Sequence, residues 1–357
     1  MNRSEAAETA KRVYRYMMHS ESNEWGRHEW ADWAMNVDRW DWNAGVGLIA
    51  AGEYGTAASE DGIMREIAEW VDRNRKRSEG VEVINEMAPF AVFPSLYRAT
   101  GLAYYRDEAE SVALRMMERS PRTRNGAFEH TVTENAIFRE QIWADTVFVA
   151  VLFLARTARL LSDRRMAEEA LRQVRLHLNV LQDEDTGLLY HGWNCETEDW
   201  MSAARWNRAN AWNVCAVPMI LEETKGLCES SETLEEIARR YVRLIEAVAT
   251  RQNPSGLWPT VLDRPDFYEE TSGSAGLACG IYKAVRLGLV PAGMKACADR
   301  AVPAVIRKIA ATGAVDGVSG GTPVLESVEA YDRVPVFPTL YGQGLTLMLL
   351  AEAAVSA

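Results

Sequence analysis

The chain has 357 residues, of which 48% are hydrophobic and 25% charged, so it can bury a large core and is not an intrinsically disordered chain. Asp and Glu outnumber Lys and Arg by 51 to 39, and no basic stripe is visible, which argues against a nucleic-acid partner. No apolar run approaches the ~20 uncharged residues that a bilayer-spanning helix needs, so no membrane partner is expected.

The N-terminal segment and the cysteines favour a cytoplasmic location. Residues 1–20 alternate charged and apolar residues at helical spacing, unlike the apolar core of a signal peptide. The five cysteines are odd in number and never closely paired, which indicates neither a disulfide framework nor a zinc site. They are Cys195, Cys215, Cys228, Cys279 and Cys297.

Helical spacing of apolar residues recurs along the chain, whereas period-two alternation is confined to residues 81–84. The spacing predicts twelve helices, in chain order Glu5–His19, Trp42–Tyr54, Ser59–Lys76, Met87–Thr100, Tyr104–Glu118, Asp145–Leu161, Asp163–Leu181, Asn207–Lys225, Thr233–Arg251, Ser272–Leu287, Pro291–Ala311 and Gly342–Ser356. This content predicts an all-α fold.

The connections between these helices differ in length. Tight turns fold one helix back on the next at 100–103, 161–164 and 288–291, and long connections rich in aromatic and polar residues occupy 120–141, 182–205 and 251–271. Alternating short and long connections are typical of helical hairpins, in which a mostly apolar inner helix is followed by an amphipathic outer one.

Twelve helices in such pairs make six hairpins, and a closed ring of six hairpins is an (α/α)6 barrel with its long loops at one rim. An open α-solenoid is the alternative, but the sequence shows no fixed repeat and no polar capping repeat. Nothing resembles an interdomain linker. We therefore predict a single (α/α)6-barrel domain over residues 1–357.

One carboxylate stands at the start of an apolar run. Asp145 lies in the segment QIWADT at 141–146, directly before the apolar residues 147–155. A buried charge is costly unless it is paired, so Asp145 is either a helix N-cap or a working group. As a general acid, its pKa would be raised by burial beside indoles, although the helix dipole opposes that rise.

A second segment combines a cation with indole rings. Arg208 and Trp212, in the segment WNRANAW, are four residues apart and share one face of a predicted helix. A guanidinium that binds a carboxylate beside an indole that stacks on a ring suits a carboxylated sugar. The alternative is a core tryptophan beside an arginine with a buried stem. Twelve tryptophans, many at predicted helix starts such as Trp42, also favour a carbohydrate ligand.

Three further polar residues are candidates for the same site. His191, in a loop, is either a hydrogen-bonding scaffold or a catalytic group, and no set of ligands around it predicts a metal site. His130 precedes Asp145 in the same long loop and is placed to reach the same rim. Asn85 is expected to cap the fourth helix.

These segments resemble the unsaturated uronyl hydrolases, which make up glycoside hydrolase families 105 and 88. The matching segments are Trp42…Gly45…Gly47, Gly126…His130, QIWADT at 141–146, HGW at 191–193, WxRxNxW at 206–212, ETSGSA at 270–275 and YGQG at 341–344. The resemblance implies an (α/α)6 barrel and a hydrolase without a cofactor. It also implies substrates that polysaccharide lyases generate, namely oligosaccharides with a Δ4,5-unsaturated uronic acid at the non-reducing end.

The resemblance implies roles for individual residues as well. Asp145 matches the family's catalytic aspartate, which would protonate C4 of the vinyl ether while water adds at C5, so the spacing rule for ordinary glycosidases does not apply. Arg208 would bind the substrate carboxylate or nearby oxygens, and His191 would hydrogen-bond the unsaturated ring. The stacking walls would be Trp143, Trp206 and Trp212.

One position departs from the family pattern, and two alternative functions stay open. Many members carry a second aspartate where this chain has Asn85 beside Glu86, which leaves the residue that orients the water unassigned. A sugar epimerase with the same fold would use His130 and His191 as acid and base. A non-enzymatic helical scaffold would have a groove without a buried acid. The sequence does not predict the oligomeric state.

Overall fold

The computed structural model describes residues 3–131, 138–228 and 232–356, so 132–137 of the predicted long loop lie outside it. The α-helices are α1 (Arg3–His19), α2 (Ala31–Met35), α3 (Trp42–Ala58), α4 (Asp61–Ser78), α5 (Phe93–Thr100), α6 (Ala103–Arg119), α7 (Leu152–Leu161), α8 (Arg164–Leu181), α9 (Asn207–Thr224), α10 (Glu232–Ala249), α11 (Thr271–Arg286), α12 (Lys295–Ile306), α13 (Val328–Tyr331) and α14 (Leu340–Val355). Short 3-10 segments cover Ser22–Glu24, Asn85–Val92 and Ala292–Met294, and Val147–Val151 is a π-helical turn. The strands are β1 (Gln141–Trp143) and β2 (Gly192–Asn194).

Six apolar segments form a closed inner ring. Around the ring they are α3, Asn85–Val92 with α5, Val147–Val151 with α7, then α9, α11 and α14, and α14 returns to α3. The Tyr341 amide donates to Asn43 Oδ1 at 3.1 Å where the ring closes. The amphipathic helices α4, α6, α8, α10, α12 and α1 pack outside it. The predicted (α/α)6 barrel is confirmed.

The sixth hairpin joins the two ends of the described chain. Helix α1 packs against α14, and the Gln343 side-chain amide donates to the Val13 carbonyl at 3.4 Å. Short connections join the partners of the other five hairpins. No turn in the sequence marks this one, because its two helices are more than 300 residues apart.

Several predicted elements differ in detail. The predicted helix at 145–161 begins as a π-helical turn, and α7 starts only at Leu152. The predicted helix at 87–100 is divided into a 3-10 segment and α5, where Pro89 and Pro94 remove backbone donors. The predicted helix at 291–311 ends at Ile306. Residues 81–84, all described, form no strand.

A two-stranded ladder fastens two of the long loops together. Strands β1 and β2 pair antiparallel, with Trp143 opposite Gly192. A Cβ atom on Gly192 would lie 2.7 Å from Met201 Cε and 3.1 Å from Trp143 Cδ1, so only glycine leaves room for the indole. The ladder therefore holds the segments around Trp143 and His191 next to each other in space.

All six inner segments begin at the same rim, where the long connections lie. The backbone N–H groups at these helix starts lack partners within their own helices, and the side chains of Asp41, Glu270 and Thr339 cap three of the starts. Along the described residues, no helix combines the length and the apolar character needed to cross a membrane.

Candidate active site

A cavity of about 390 Å3 opens at the rim where the inner helices begin. Six of the eight predicted site residues line it: Asn85, His130, Trp143, Asp145, Trp206 and Arg208. The other two, His191 and Trp212, lie behind the wall and contact Asp145. Asp145 therefore lies between the cavity and a buried polar layer.

Asp145 is held from behind by two side chains. The Trp212 indole N–H donates to Asp145 Oδ1 at 3.1 Å, and His191 Nε2 lies 3.4 Å from Asp145 Oδ2. The Asp145 side chain keeps 16% of its exposure, so it is reachable from the cavity. Its carboxylate accepts from a tryptophan of another inner helix instead of capping its own helix, for which Thr146 is the cap residue.

The pKa of Asp145 is lowered, which corrects the expected rise. Burial by itself raises this pKa, but the contact with His191 and the nearby His130 and Arg208 outweigh it. The substrate-free protein therefore holds Asp145 as a carboxylate at neutral pH.

His191 is 1% exposed and lies between the Asp145 carboxylate and Tyr331. Its Nδ1 lies 2.8 Å from the Tyr331 hydroxyl, and its ring packs on Trp206 with centroids 4.3 Å apart. Burial lowers the pKa of His191, so the ring is neutral at pH 7.

His130 forms the side of the cavity next to Trp143. The two rings stack with centroids 4.5 Å apart, and His130 Nδ1 lies 2.9 Å from Thr146 Oγ1. Burial lowers the pKa of His130 to about 4. The stacked pair of Trp143 and the neutral His130 ring forms this side of the cavity.

Arg208 lies at the opposite side, with its guanidinium between two aromatic rings. The guanidinium carbon is 4.2 Å from the Trp206 ring centroid and 4.5 Å from that of Tyr341. Its Nη2 donates to the Gly320 carbonyl at 2.9 Å and its Nη1 to Ser319. Of the three guanidinium nitrogens of Arg208, Nε alone has no hydrogen-bond partner among the described residues. A bidentate clamp on a substrate carboxylate would need donors that are already engaged.

Glu270 compensates the buried charge of Arg208. The two groups lie 3.6 Å apart and are 0% and 1% exposed, respectively. Glu270 also caps α11, since its side chain accepts from the Ser272 and Gly273 amides. The helix start at 270–275 is thus occupied by the chain's own carboxylate.

Trp212 does not form a stacking wall. It is fully buried and packs against Phe148, with ring centroids 4.9 Å apart, behind Asp145. The implied role of Trp212 in sugar stacking is therefore wrong: the helical spacing that pairs it with Arg208 turns its indole N–H towards Asp145. Trp143 and Trp206 do line the cavity.

Asn85 lines the cavity but does not cap its helix. The N-cap position belongs to Ile84, and Asn85 is the first residue of the 3-10 segment. Its amide N–H donates to the Thr131 carbonyl at 3.2 Å, which links this segment to the loop that carries His130.

The connection between α12 and α14 also contributes to the site, which the sequence did not predict. This loop, residues 307–339, supplies Gly320, Thr322 and Phe337 to the cavity wall and carries Tyr331 behind it. Its sequence is rich in glycine and small residues, and its length was the one signal from which a rim loop could have been predicted. Trp30, directly before α2, and Trp33, on α2, also line the cavity and were not predicted.

Within the ranges that the structure describes, no three His, Cys, Asp or Glu side chains converge to hold a metal ion. What the arrangement offers is a carboxylate at a cavity walled by indole faces, with a buried cation beside it. Such a set can exchange a proton with a bound ring and attract an anionic substituent.

Comparison with known proteins identifies the family of this chain. The sequence profile of Glycosyl Hydrolase Family 88 matches residues 9–356. The unsaturated rhamnogalacturonyl hydrolase YesR of Bacillus subtilis (strain 168) is 31% identical over 319 residues, which are 88% of this chain and 89% of that protein.

Solved structures show the same architecture. A possible member of the GH105 family from Salmonella enterica serovar Paratyphi A superposes with a TM-score of 0.92 at 30% identity, covering 99% of this chain and 95% of that one. An unsaturated glucuronyl hydrolase from Bacillus sp. GL1 superposes with a TM-score of 0.73 at 14% identity, covering 98% and 96%. The second likeness concerns the fold alone.

Proposed function

This chain belongs to Glycosyl Hydrolase Family 88, and we propose that it removes a Δ4,5-unsaturated uronic acid from the non-reducing end of lyase-generated oligosaccharides. The observation that carries the proposal is the position of Asp145. Its carboxylate faces a cavity walled by indoles and is fixed from behind by Trp212 and His191.

The cavity suits one sugar ring with an apolar face. Its volume of about 390 Å3 is in the range of small-molecule sites, ~300–1,000 Å3. The cavity lining also includes Trp30, Trp33 and Trp42, whose indoles are exposed or half-buried and can pack on the C–H groups of a ring. Trp206 cannot serve in this way, because Arg208 and His191 cover its ring. An unsaturated uronic acid is flattened around its double bond, which favours such packing.

In the proposed reaction Asp145 gives its proton to C4 of the vinyl ether, and a water molecule adds its oxygen to C5 and returns its proton to the Asp145 carboxylate. The resulting hemiketal opens and the glycosidic bond at C1 breaks, so that one water is consumed and the remaining oligosaccharide is released. The chemistry requires Asp145 in its acid form at the moment of transfer.

Substrate binding supplies a physical reason for Asp145 to take up that proton. The uronate adds a negative charge near Asp145 and excludes water from the cavity, and both effects raise the pKa of a carboxyl group. The pKa of Asp145, which is lowered in the free protein, therefore rises in the complex.

We assign the recognition of the substrate carboxylate to the region of Arg208. Its Nε and the Trp206 Nε1 are buried donors without partners among the described residues, and both residues line the cavity. Two such donors can donate hydrogen bonds to one carboxylate. His191, in this proposal, acts on the substrate through Asp145.

The epimerase alternative is disfavoured by the state of the histidines. His130 has a pKa of about 4 and His191 a lowered pKa, because both are buried, so neither supplies an acid at neutral pH. The scaffold alternative predicts a groove without a buried acid, whereas this cavity contains the buried carboxylate of Asp145.

The direct test is the loss of enol-ether absorbance when the protein meets lyase-generated oligosaccharides. Rhamnogalacturonan fragments are the first choice, since a relative is named for them, and unsaturated glucuronides are the comparison. Persistence of the band with every unsaturated uronide would contradict the proposal.

Asp145→Asn should leave the fold intact and lower kcat by about 10²- to 10⁴-fold or more, because an amide keeps the shape but has no proton to give. Asp163→Asn is the matched control, since Asp163 caps α8 on the surface and Asn caps equally well. Activity in Asp145→Asn comparable to that of the control would refute the assignment of the acid.

The pH dependence should differ between free and bound protein. The kcat/KM profile reports the free protein, in which the pKa of Asp145 is lowered, so kcat/KM should fall with rising pH from the acid side onward. The kcat profile reports the complex and should begin to fall at higher pH. Coinciding profiles would show that the substrate does not raise the pKa of Asp145.

A further inference from the structure

Tyr331 holds a buried position that the proposed chemistry does not use directly. It lies in the connection between α12 and α14, with its ring fully buried against His191 and Trp206 at centroid distances of 5.8 and 5.9 Å. Its hydroxyl lies 2.8 Å from His191 Nδ1. Tyr331 therefore contacts the histidine on the side opposite Asp145.

The hydrogen bonds around the Tyr331 hydroxyl favour one direction for its proton. The Leu325 amide donates to this oxygen at 3.2 Å, so the oxygen is an acceptor there. Its single hydrogen can point to His191 Nδ1 at 2.8 Å or to Ser202 Oγ at 3.5 Å. The shorter distance favours His191. Burial raises the pKa of Tyr331 to about 12, so the hydroxyl keeps its hydrogen at neutral pH.

A neutral imidazole has one donor and one acceptor nitrogen. If Nδ1 accepts from Tyr331, the ring hydrogen must be on Nε2, which faces Asp145 Oδ2 at 3.4 Å. In the other tautomer the lone pair of Nε2 would face the carboxylate, and two acceptors would repel each other. The tautomer thus decides whether His191 supports the Asp145 anion or opposes it.

We propose that Tyr331 is a positioning residue that holds His191 in the Nε2–H tautomer and so directs an N–H group, not a lone pair, towards the Asp145 carboxylate. The tautomer assignment stands on the substrate-free geometry, and its effect on turnover rests on the function proposed for Asp145.

The tautomer is measurable without substrate. The chain has five histidines, so nitrogen-15 labelling of histidine gives a small set of ring signals, and His191→Gln identifies the signal of His191. We expect a protonated Nε2 and an unprotonated Nδ1 at pH 7. His177 is an internal reference, because its Nδ1 lies 2.8 Å from the Gln173 carbonyl and must carry the hydrogen.

Tyr331→Phe removes only the hydroxyl, and the His191 signals should become those of a tautomer mixture. A wild-type His191 protonated on Nδ1, or a variant with the wild-type His191 signals, would overturn the proposal. The wild-type spectrum decides the first point even if the variant does not fold. Failure of every uronide assay would refute the proposed function and leave this result standing.

The kinetic readout tests the link to Asp145. Without its donor the Asp145 anion is less stable, so the fall of kcat/KM with pH should move upward by up to about one pH unit in Tyr331→Phe. His130, Arg208 and His191 face Asp145, and Glu326 faces Tyr331; the variant alters none of these charges. Tyr241→Phe is the matched control, since it removes a buried hydroxyl that donates to the Val214 carbonyl away from the cavity. An equal pH profile in all three proteins would overturn the link.

Discussion

Arg208 shows how a single residue combines a binding role with a structural one. Its guanidinium is stacked between Trp206 and Tyr341, and Glu270 neutralises its charge. Removing one partner of a buried ion pair leaves the other charge uncompensated, which costs more than the pair itself contributes. Substitution of Arg208 should therefore affect both stability and substrate binding.

We expect Arg208→Lys to lower kcat/KM by an amount equivalent to about 2 kcal/mol of transition-state stabilisation. We also expect it to lower the free energy of unfolding by about 1–3 kcal/mol. A lysine ammonium is a point charge that cannot lie between two rings and reach Ser319 and Gly320 together. Kinetics and urea denaturation measure the two effects.

Arg205→Lys is the control for the binding part of this effect. Arg205 pairs with Asp183 and Asp263 outside the cavity lining, so its substitution should lower stability while KM stays unchanged. Equal changes in KM for both variants would show that Arg208 acts only through packing.

At the scale of elements, the inner helices approach each other where side chains are absent. Gly280 on α11 lies against the backbone of α9, and a Cβ atom at this position would overlap the Val214 carbonyl oxygen. A backbone group cannot turn aside as a side chain can, so the distance between α9 and α11 depends on this glycine. Both helices begin at the cavity, with Arg208 on α9 and Ser272 on α11.

Gly280→Ala should lower the free energy of unfolding by about 1–3 kcal/mol, because it overpacks the contact between α9 and α11. Gly52→Ala is the control of opposite sign. A Cβ atom at Gly52 on α3 would only reach Ile67 at 3.9 Å, and alanine gains about 0.5–1 kcal/mol in a helix. Denaturation curves that shift in the same direction for both variants would contradict this account of the packing.

At the scale of the whole molecule, a charge cluster closes the end of the barrel away from the cavity. Glu53 on α3 accepts from Arg156 on α7 at 2.8 Å and from Lys283 on α11 at 2.9 Å. Lys283 also lies 3.2 Å from Glu352 on α14. Burial raises the pKa of Glu53, but Lys283 and Arg156 outweigh it and lower that pKa to about 2. The cluster thus connects four of the six inner segments.

Lys283→Met should lower the free energy of unfolding by about 3–5 kcal/mol, because it leaves two acidic groups without their shared cation. Activity at low temperature should persist, since Lys283 is about 18 Å along α11 from the cavity rim. Lys295→Met removes an exposed lysine that pairs with Asp299 and should cost less than about 1 kcal/mol. Similar losses for both variants would argue against the cluster.

The same cluster sets a pH dependence of stability. The pKa of Glu53 is lower in the folded protein than in the unfolded chain, so its contribution is present above about pH 4.5 and is lost as the pH falls towards 2. This part of the acid destabilisation should be smaller in Lys283→Met than in the wild type. Urea denaturation at several pH values between these limits measures the difference.

The sequence by itself determined the features that depend on neighbouring residues. Apolar spacing marked the inner and outer helices, and the alternation of short and long connections indicated hairpins with their loops at one rim. Asp145 stood out because a carboxylate directly before an apolar run must have a partner. The chemistry-bearing segments around Trp143, His191 and Arg208 resembled one family in order and spacing.

The tertiary structure decided everything that depends on residues far apart in the chain. Trp212 and Asp145 are 67 positions apart, and Tyr331 and His191 are 140 apart, so no local pattern connects them. The direction of the Asp145 pKa followed from these contacts, since burial and charged neighbours act in opposite directions and only their distances decide which is larger. The packing of α1 on α14 and the hydrogen bonds that engage the Arg208 donors likewise depend on residues far apart in the chain. Periodicity shows which side chains are buried, but the partners of a buried polar group are chosen by the fold.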